Sequence, residues 1–218
     1  MNLPEETARK VLTVVGARIC KELQGYSCLH LEEIAPAKKE IVCSRSFGHA
    51  ITDKHEMSEA VAEYAARAAE KLRRQNSVAE NLRVFIETNP FKPEQRQYFG
   101  SAGVQLETAS SFTPDLIQAA GSALKECWRD GFRFKKAGVM LFGIQPASAF
   151  QSSFATPEPE VIARRGRAMA ALDKLNRFYG RGSVNLAAAG IARPWQMKRE
   201  RCFLRFTTRW EELPIVIA

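Results

Sequence analysis

Leu12, Val15, Ile19 and Leu23 recur at the three- and four-residue spacing of one helix face and stop before Gly25, a residue suited to a left-handed helix end. The pattern predicts a helix over 5–24. The next stretch, YSCLHLEEIAPAKK, holds a proline and mixed charge without a sustained period, so it reads as a linker. EIVCSRSF, from residue 40, then alternates and is rich in β-branched residues, as a strand would be, and turns at Phe47 and Gly48. Starting at Ser58 as N-cap, Val61, Ala65, Ala68 and Leu72 form an apolar stripe that ends in Arg73 and Arg74. Period-two patterning returns in 81–89 and 102–110, on either side of the polar loop PFKPEQRQYFGS. Thr113 followed by Pro114 marks a helix start, and Ile117, Ala120 and Leu124 carry it to about Trp128. FRFKKAGVMLFGI, 132–144, is a strand with a basic entry.

Strand, helix, strand, strand, helix, strand is the order of the split βαβ, or ferredoxin-like, arrangement, so the predicted class is α+β. Both helices then cover one face of a four-stranded sheet and leave the other open. Beyond residue 145 the composition shifts to QPASAFQSSFATPEPE, low in charge, which reads as a tether. A helix over about 160–179 follows, then GRGSVNLAAAGI as a turn and short strand, and an end that interleaves aromatics with arginines. The expected organisation is a helix and linker over 1–39, the sheet domain over 40–145, the tether over 146–159, and a small α/β extension over 160–218.

Charge adds a direction to this outline. With 32 Lys and Arg against 24 Asp and Glu, the chain carries a formal charge of +8, which favours nucleic acid or another anionic partner. Its 5 cysteines lack the paired spacing of a disulfide framework and read as thiols of a reducing compartment, so the cytoplasm is expected. No apolar run approaches the ~20 residues of a membrane span. The chemistry of catalysis is harder to find. Asp53, Asp115, Asp130 and Asp173 each sit where a turn, a helix start or a helix face explains them, whereas a two-metal site needs clustered carboxylates. His30, His49 and His55 have no partner at zinc spacing, and Cys43 has no identifiable base. No metal site and no catalytic residue is assigned.

The basic strand entry is the better signal. Arg133, Lys135 and Lys136 would lie beside Ser44, Arg45 and Ser46 if the first and last strands are neighbours, and Arg83 is a further polar candidate for the open face. Hydroxyls and cations in that setting suit nucleic-acid phosphates. They equally suit a solvated edge, since lysines protect edge strands from aggregation.

These stretches carry a resemblance. CLHLEEIAPAKKEIVCSRSFG and ITDKHEMSEAVAEYAARAAEKLR resemble the passage from thumb into little finger, and the first little-finger helix, of UmuC-type polymerases, the catalytic subunit of DNA polymerase V among the Y-family translesion enzymes. FRFKKAGVML resembles the last little-finger strand, and ARPWQMKRERCFLRFTTRWEELP the C-terminal extension of that branch. The resemblance implies that Ser44, Arg45, Ser46, Lys135 and Lys136 contact the phosphates of a template–primer duplex, in an error-prone enzyme of SOS-type DNA repair. Its short sliding-clamp peptide would fall at Gln151 and Phe154, although Phe154 stands for the usual leucine and Ala155 for the terminal aromatic. The palm, with the carboxylates that hold Mg2+, has no counterpart in these residues, which suggests a split or truncated gene product or a fragment of a longer protein. The chain alone is therefore expected to need no cofactor and to give no primer extension. A contact with a recombinase filament or an accessory subunit through the extension is the alternative reading.

Overall fold

The computed structural model describes residues 4–29, 37–149, 157–197 and 203–214. Gln151 and Phe154 lie outside them. The chain divides into two compact units, Met1–Ala37 and Lys38–Ala218. In the first, α1 (Glu5–Leu23) is not one continuous helix: Thr13 sits at φ 67°, and Lys21 and Glu5 meet at 2.6 Å. Thr13, Val14 and Val15 form a β-branched run followed by Gly16, a weak helix-forming sequence at the break.

In the second unit the elements are β1 (Ile41–Ile51), α2 (Lys54–Arg74), β2 (Ser77–Thr88), β3 (Phe99–Ser110), α3 (Thr113–Cys127), β4 (Phe134–Pro146) and α4 (Pro159–Phe178). The four strands make one antiparallel sheet in the order β1-β4-β2-β3. Each βαβ passage therefore straddles one strand: β4 lies between β1 and β2, and β2 between β3 and β4. This is the α+β architecture expected from the sequence, with β1 and β4 as neighbours.

The core forms where α2 and α3 meet the sheet. Ile41, Cys43, Phe47 and Ile51 of β1, Leu82, Val84 and Ile86 of β2, and Ala137, Val139 and Leu141 of β4 are buried there. From α2 come Ala60, Val61, Ala65, Ala68, Ala69 and Leu72, whose small side chains let the helix approach the strands closely. The helix starts five residues earlier than its apolar stripe suggests. Asp53, not Ser58, is the N-cap, with its carboxylate accepting from the Glu56 N–H at 2.8 Å. Lys71, Arg73 and Arg74 in the last turn complement the helix dipole.

β1 also runs beyond the predicted turn, to Ile51, through an irregular stretch in which the pairing shifts from Ser46↔Lys136 to Ile51↔Phe134. The backbone groups freed there find other partners. The Lys135 ammonium donates to the Phe47 carbonyl, and the Gly48 N–H donates to the Trp195 carbonyl at 3.0 Å.

The C-terminal segment packs onto the same unit. Arg73 grips Asp173 of α4 through two 2.7 Å hydrogen bonds and also donates to the Ser111 carbonyl and Thr113 hydroxyl. Arg165 pairs with Asp115 at 3.2 Å and lies over the Phe112 ring. Further on, Trp195 is buried edge-on to Phe47 and Tyr64, and Arg193 meets Glu63 at 3.1 Å. The short strand expected in GRGSVNLAAAGI is instead a turn followed by a 3-10 turn at Ala187–Ala189, whose cap Gly190 has φ 67°. An added Cβ at Gly190 would lie 2.5 Å from the Glu59 carboxylate, so close docking on α2 prevails over strand pairing. Among the described residues no helix is long and apolar enough to cross a membrane.

Candidate nucleic-acid interface

Alternation along each strand sends its even and odd positions to opposite faces. With the core on one side, register defines the other. Val42, Ser44 and Ser46 of β1 stand opposite Met140, Gly138 and Lys136 of β4. Those three in turn stand opposite Arg83, Phe85 and Glu87 of β2, which face Gly103, Ser101 and Phe99 of β3. The result is a lattice of polar, small and aromatic side chains on the face away from α2 and α3.

Its centre is organised by Gly138. A Cβ there would fall against the Phe85 ring and 2.6 Å from the Ser44 Cβ, so only glycine lets that ring lie across the middle strand toward β1. Lys136 is then placed with its ammonium 5.8 Å from the Phe85 ring centre and 3.6 Å from the Glu87 carboxylate. Arg83 lies 5.6 Å from the Phe142 ring centre and has no carboxylate within ion-pair distance among the described residues. Both cations are thus oriented by aromatic rings; Lys136 also shares its charge with Glu87, whereas Arg83 has no such partner among the described residues.

The structure separates the residues that the sequence suggested as one cluster. Ser44, Ser46, Arg83 and Lys136 share the open face. Arg45 does not: it pairs with Ala137, a core position, and so belongs to the helix-bearing side of the edge strand. The physical reason is the two-residue period, which must place Arg45 with Cys43 and Phe47. Lys135 is half-buried at the bulge, with its ammonium on the Phe47 carbonyl. Arg133 is exposed just before β4 begins. Phe85, Glu87, Ser101, Gly138 and Phe142 complete the face and were not singled out from sequence. A glycine in the middle of an otherwise apolar strand was the available signal for one of them.

Comparison with known proteins agrees with this geometry. Residues 38–154, from the linker through the sheet, match the impB/mucB/samB family C-terminal domain, and residues 167–216 match a domain of unknown function, DUF4113. The protein UmuC of Salmonella typhimurium is 44% identical over 206 residues, 94% of this chain and 48% of that protein. ImpB of Salmonella typhimurium is 42% identical over 209 residues, 95% of this chain and 48% of the relative, and MucB of Escherichia coli is 38% identical over 207 residues, 95% and 48% respectively. The chain spans about half the length of these relatives. A four-stranded sheet with two helices on one face and no described element across the other, together with matches of this extent, leads to one assignment: the chain belongs to the impB/mucB/samB family and carries the C-terminal domain of its UmuC-type, Y-family members.

Proposed function

We propose that the open face of the sheet grips the sugar–phosphate backbone of duplex DNA, as the little-finger region of an error-prone Y-family polymerase acting in SOS-type repair. The observation that carries this reading is the single row Ser46, Lys136, flanked by Ser44 and Arg83, on a face that α2 and α3 leave uncovered. Hydroxyls and ring-propped cations hold phosphate without reading bases, and a backbone grip suits an enzyme that must tolerate damaged templates. Catalysis, with its Mg2+, is assigned to a palm outside these residues.

Four cations remain candidates on this side or at its entrance: Arg83, Arg133, Lys135 and Lys136. If each neutralises one phosphate, log affinity for duplex falls against log salt with a slope of about −3.6. Two unrelated duplex sequences should give the same slope and affinity in a fluorescence titration between 50 and 200 mM salt, a range over which such slopes are readily resolved. A sequence-dependent affinity, or a slope near zero, refutes the proposal.

A second reading is supported by the extension, where Phe178, Tyr179, Ile191 and Trp210 are exposed. Apolar side chains of this kind suit a protein partner, such as an accessory subunit or recombinase filament. That association would be insensitive to salt.

A further inference from the structure

On the side of β1 opposite the open face, the edge strand, α2 and the turn at Gly180–Ser183 surround a cavity of about 190 Å3. Arg45, Arg67, Lys71 and Arg181 line it, together with Tyr64 and Glu70. The acids nearby are already engaged. Glu70 pairs with Arg74 at 2.5 Å, and Glu63 is shared between Arg67 at 2.7 Å and Arg193 at 3.1 Å. Among the described residues Arg45, Lys71 and Arg181 form no ion pair, and the nearest polar partner of the Lys71 ammonium is the Val42 carbonyl at 3.4 Å. Tyr64 is 1% exposed, and its hydroxyl is buried without a hydrogen-bond partner. Burial pushes this phenol above its ordinary range, with the Glu63 charge acting in the same direction and the Arg67 and Arg45 charges in the opposite one; both arginines line the same cavity as Tyr64.

The buried hydroxyl is costly when left without a partner, and the exposed cations beside it gather positive charge at one place that the engaged acids do not balance. The cavity is smaller than the ~300–1,000 Å3 of pockets that hold drug-sized molecules, so its occupant is a small group. Guanidinium forks and an ammonium match the oxygens of a phosphoryl group, with donors arriving from several directions. We propose that this cavity is a phosphoryl-binding site, in which Arg45, Arg67, Lys71 and Arg181 neutralise the anion and Tyr64 donates to one of its oxygens. The phosphoryl group belongs either to a nucleic-acid strand that passes round the β1 edge or to a free anion. Val42 and Ser44 of the open face also border the cavity, but its cations do not belong to that face: Arg45 leaves β1 on the helix side, and Arg67, Lys71 and Arg181 come from α2 and the turn.

The test uses the whole chain and inorganic phosphate at low ionic strength, measured by calorimetry. Lys71 and Arg181 are exposed, so Lys71→Ala with Arg181→Ala leaves the fold intact, as a circular dichroism melt would verify. The double variant should bind phosphate roughly 100-fold more weakly, about tenfold for each charged donor removed. Tyr64→Phe, which keeps the ring, should also weaken phosphate, and Lys136→Ala on the open face should not. Wild-type phosphate affinity in the double variant, or no phosphate binding by the wild type, overturns the proposal. Duplex titration then identifies the source. A salt slope shallower by about 2 in the double variant assigns the phosphate to DNA, and an unchanged slope with lost phosphate binding assigns it to a free anion. A failure of the open-face reading looks different, since Lys136→Ala would then leave duplex affinity untouched while the phosphate result stood.

Discussion

Lys136 cannot meet a phosphate without loosening its hold on Glu87, and this makes Glu87→Gln an informative perturbation. The ammonium and carboxylate lie 3.6 Å apart, with both side chains partly exposed. Coulomb's law at the dielectric of water gives about 1 kcal/mol for that separation, and exposed pairs are measured at about 0.2–1 kcal/mol. Bringing DNA to the face forfeits part of this attraction and adds repulsion between Glu87 and the phosphate. Removing the carboxylate should therefore tighten duplex binding by roughly 1.5- to 5-fold, a gain of function from deleting a contact. Lys136→Ala should act oppositely. A contact with a salt exponent of about 0.9 contributes roughly eightfold at 0.1 M relative to 1 M salt, and its loss makes the slope shallower by about 0.9. In the Glu87→Gln, Lys136→Ala double variant the benefit of the glutamine should vanish except for relieved repulsion. Fluorescence anisotropy of a labelled primer–template duplex across a salt series measures all four proteins. Unchanged or weaker binding by folded Glu87→Gln, or a Lys136→Ala slope equal to wild type, would remove this row from the DNA interface.

Gly138→Ala should destabilise the chain by about 1–3 kcal/mol, because the new methyl meets the Phe85 ring and the Ser44 Cβ; urea denaturation reads this, and Gly138→Ala combined with Phe85→Leu should recover part of it. The alkaline limit of stability should depend on Tyr64. Its phenol is raised by burial, so the folded state keeps a proton that the unfolded state releases above pH ~10, and stability falls as pH rises beyond that point. Cys127, also raised by burial, adds a loss of the same sign from about pH 8.5 upward. Thermal melts between pH 8 and 11 should show a shallower decline for Tyr64→Phe, and identical profiles would show that the phenol does not titrate with unfolding.

How much of this was legible in the sequence follows from the range of the forces involved. The two-residue alternation of EIVCSRSF and NLRVFIET, and the four-residue stripe Val61, Ala65, Ala68, Leu72, are local patterns imposed by burial on one side, so the elements and the α+β class could be read directly. Cap and break chemistry was legible in part: Asp53 precedes the helix it caps, but Ser58 looked as suitable because the apolar stripe begins later. The strand order could not be read, since it depends on which edges meet across tens of residues. With it were hidden the rows of the open face, the bulge that draws Lys135 to the Phe47 carbonyl, and the docking of Asp173 and Trp195 onto α2. Ser44, Arg45 and Ser46 illustrate the division. Adjacency in the chain made them look like one clamp, whereas the pleat directs the serines to the open face and the arginine to the helix side. Charge and period belonged to the sequence alone; which cations share a surface was decided by tertiary pairing, because only register across strands brings residues as distant as Ser46 and Lys136 within reach of the same ligand.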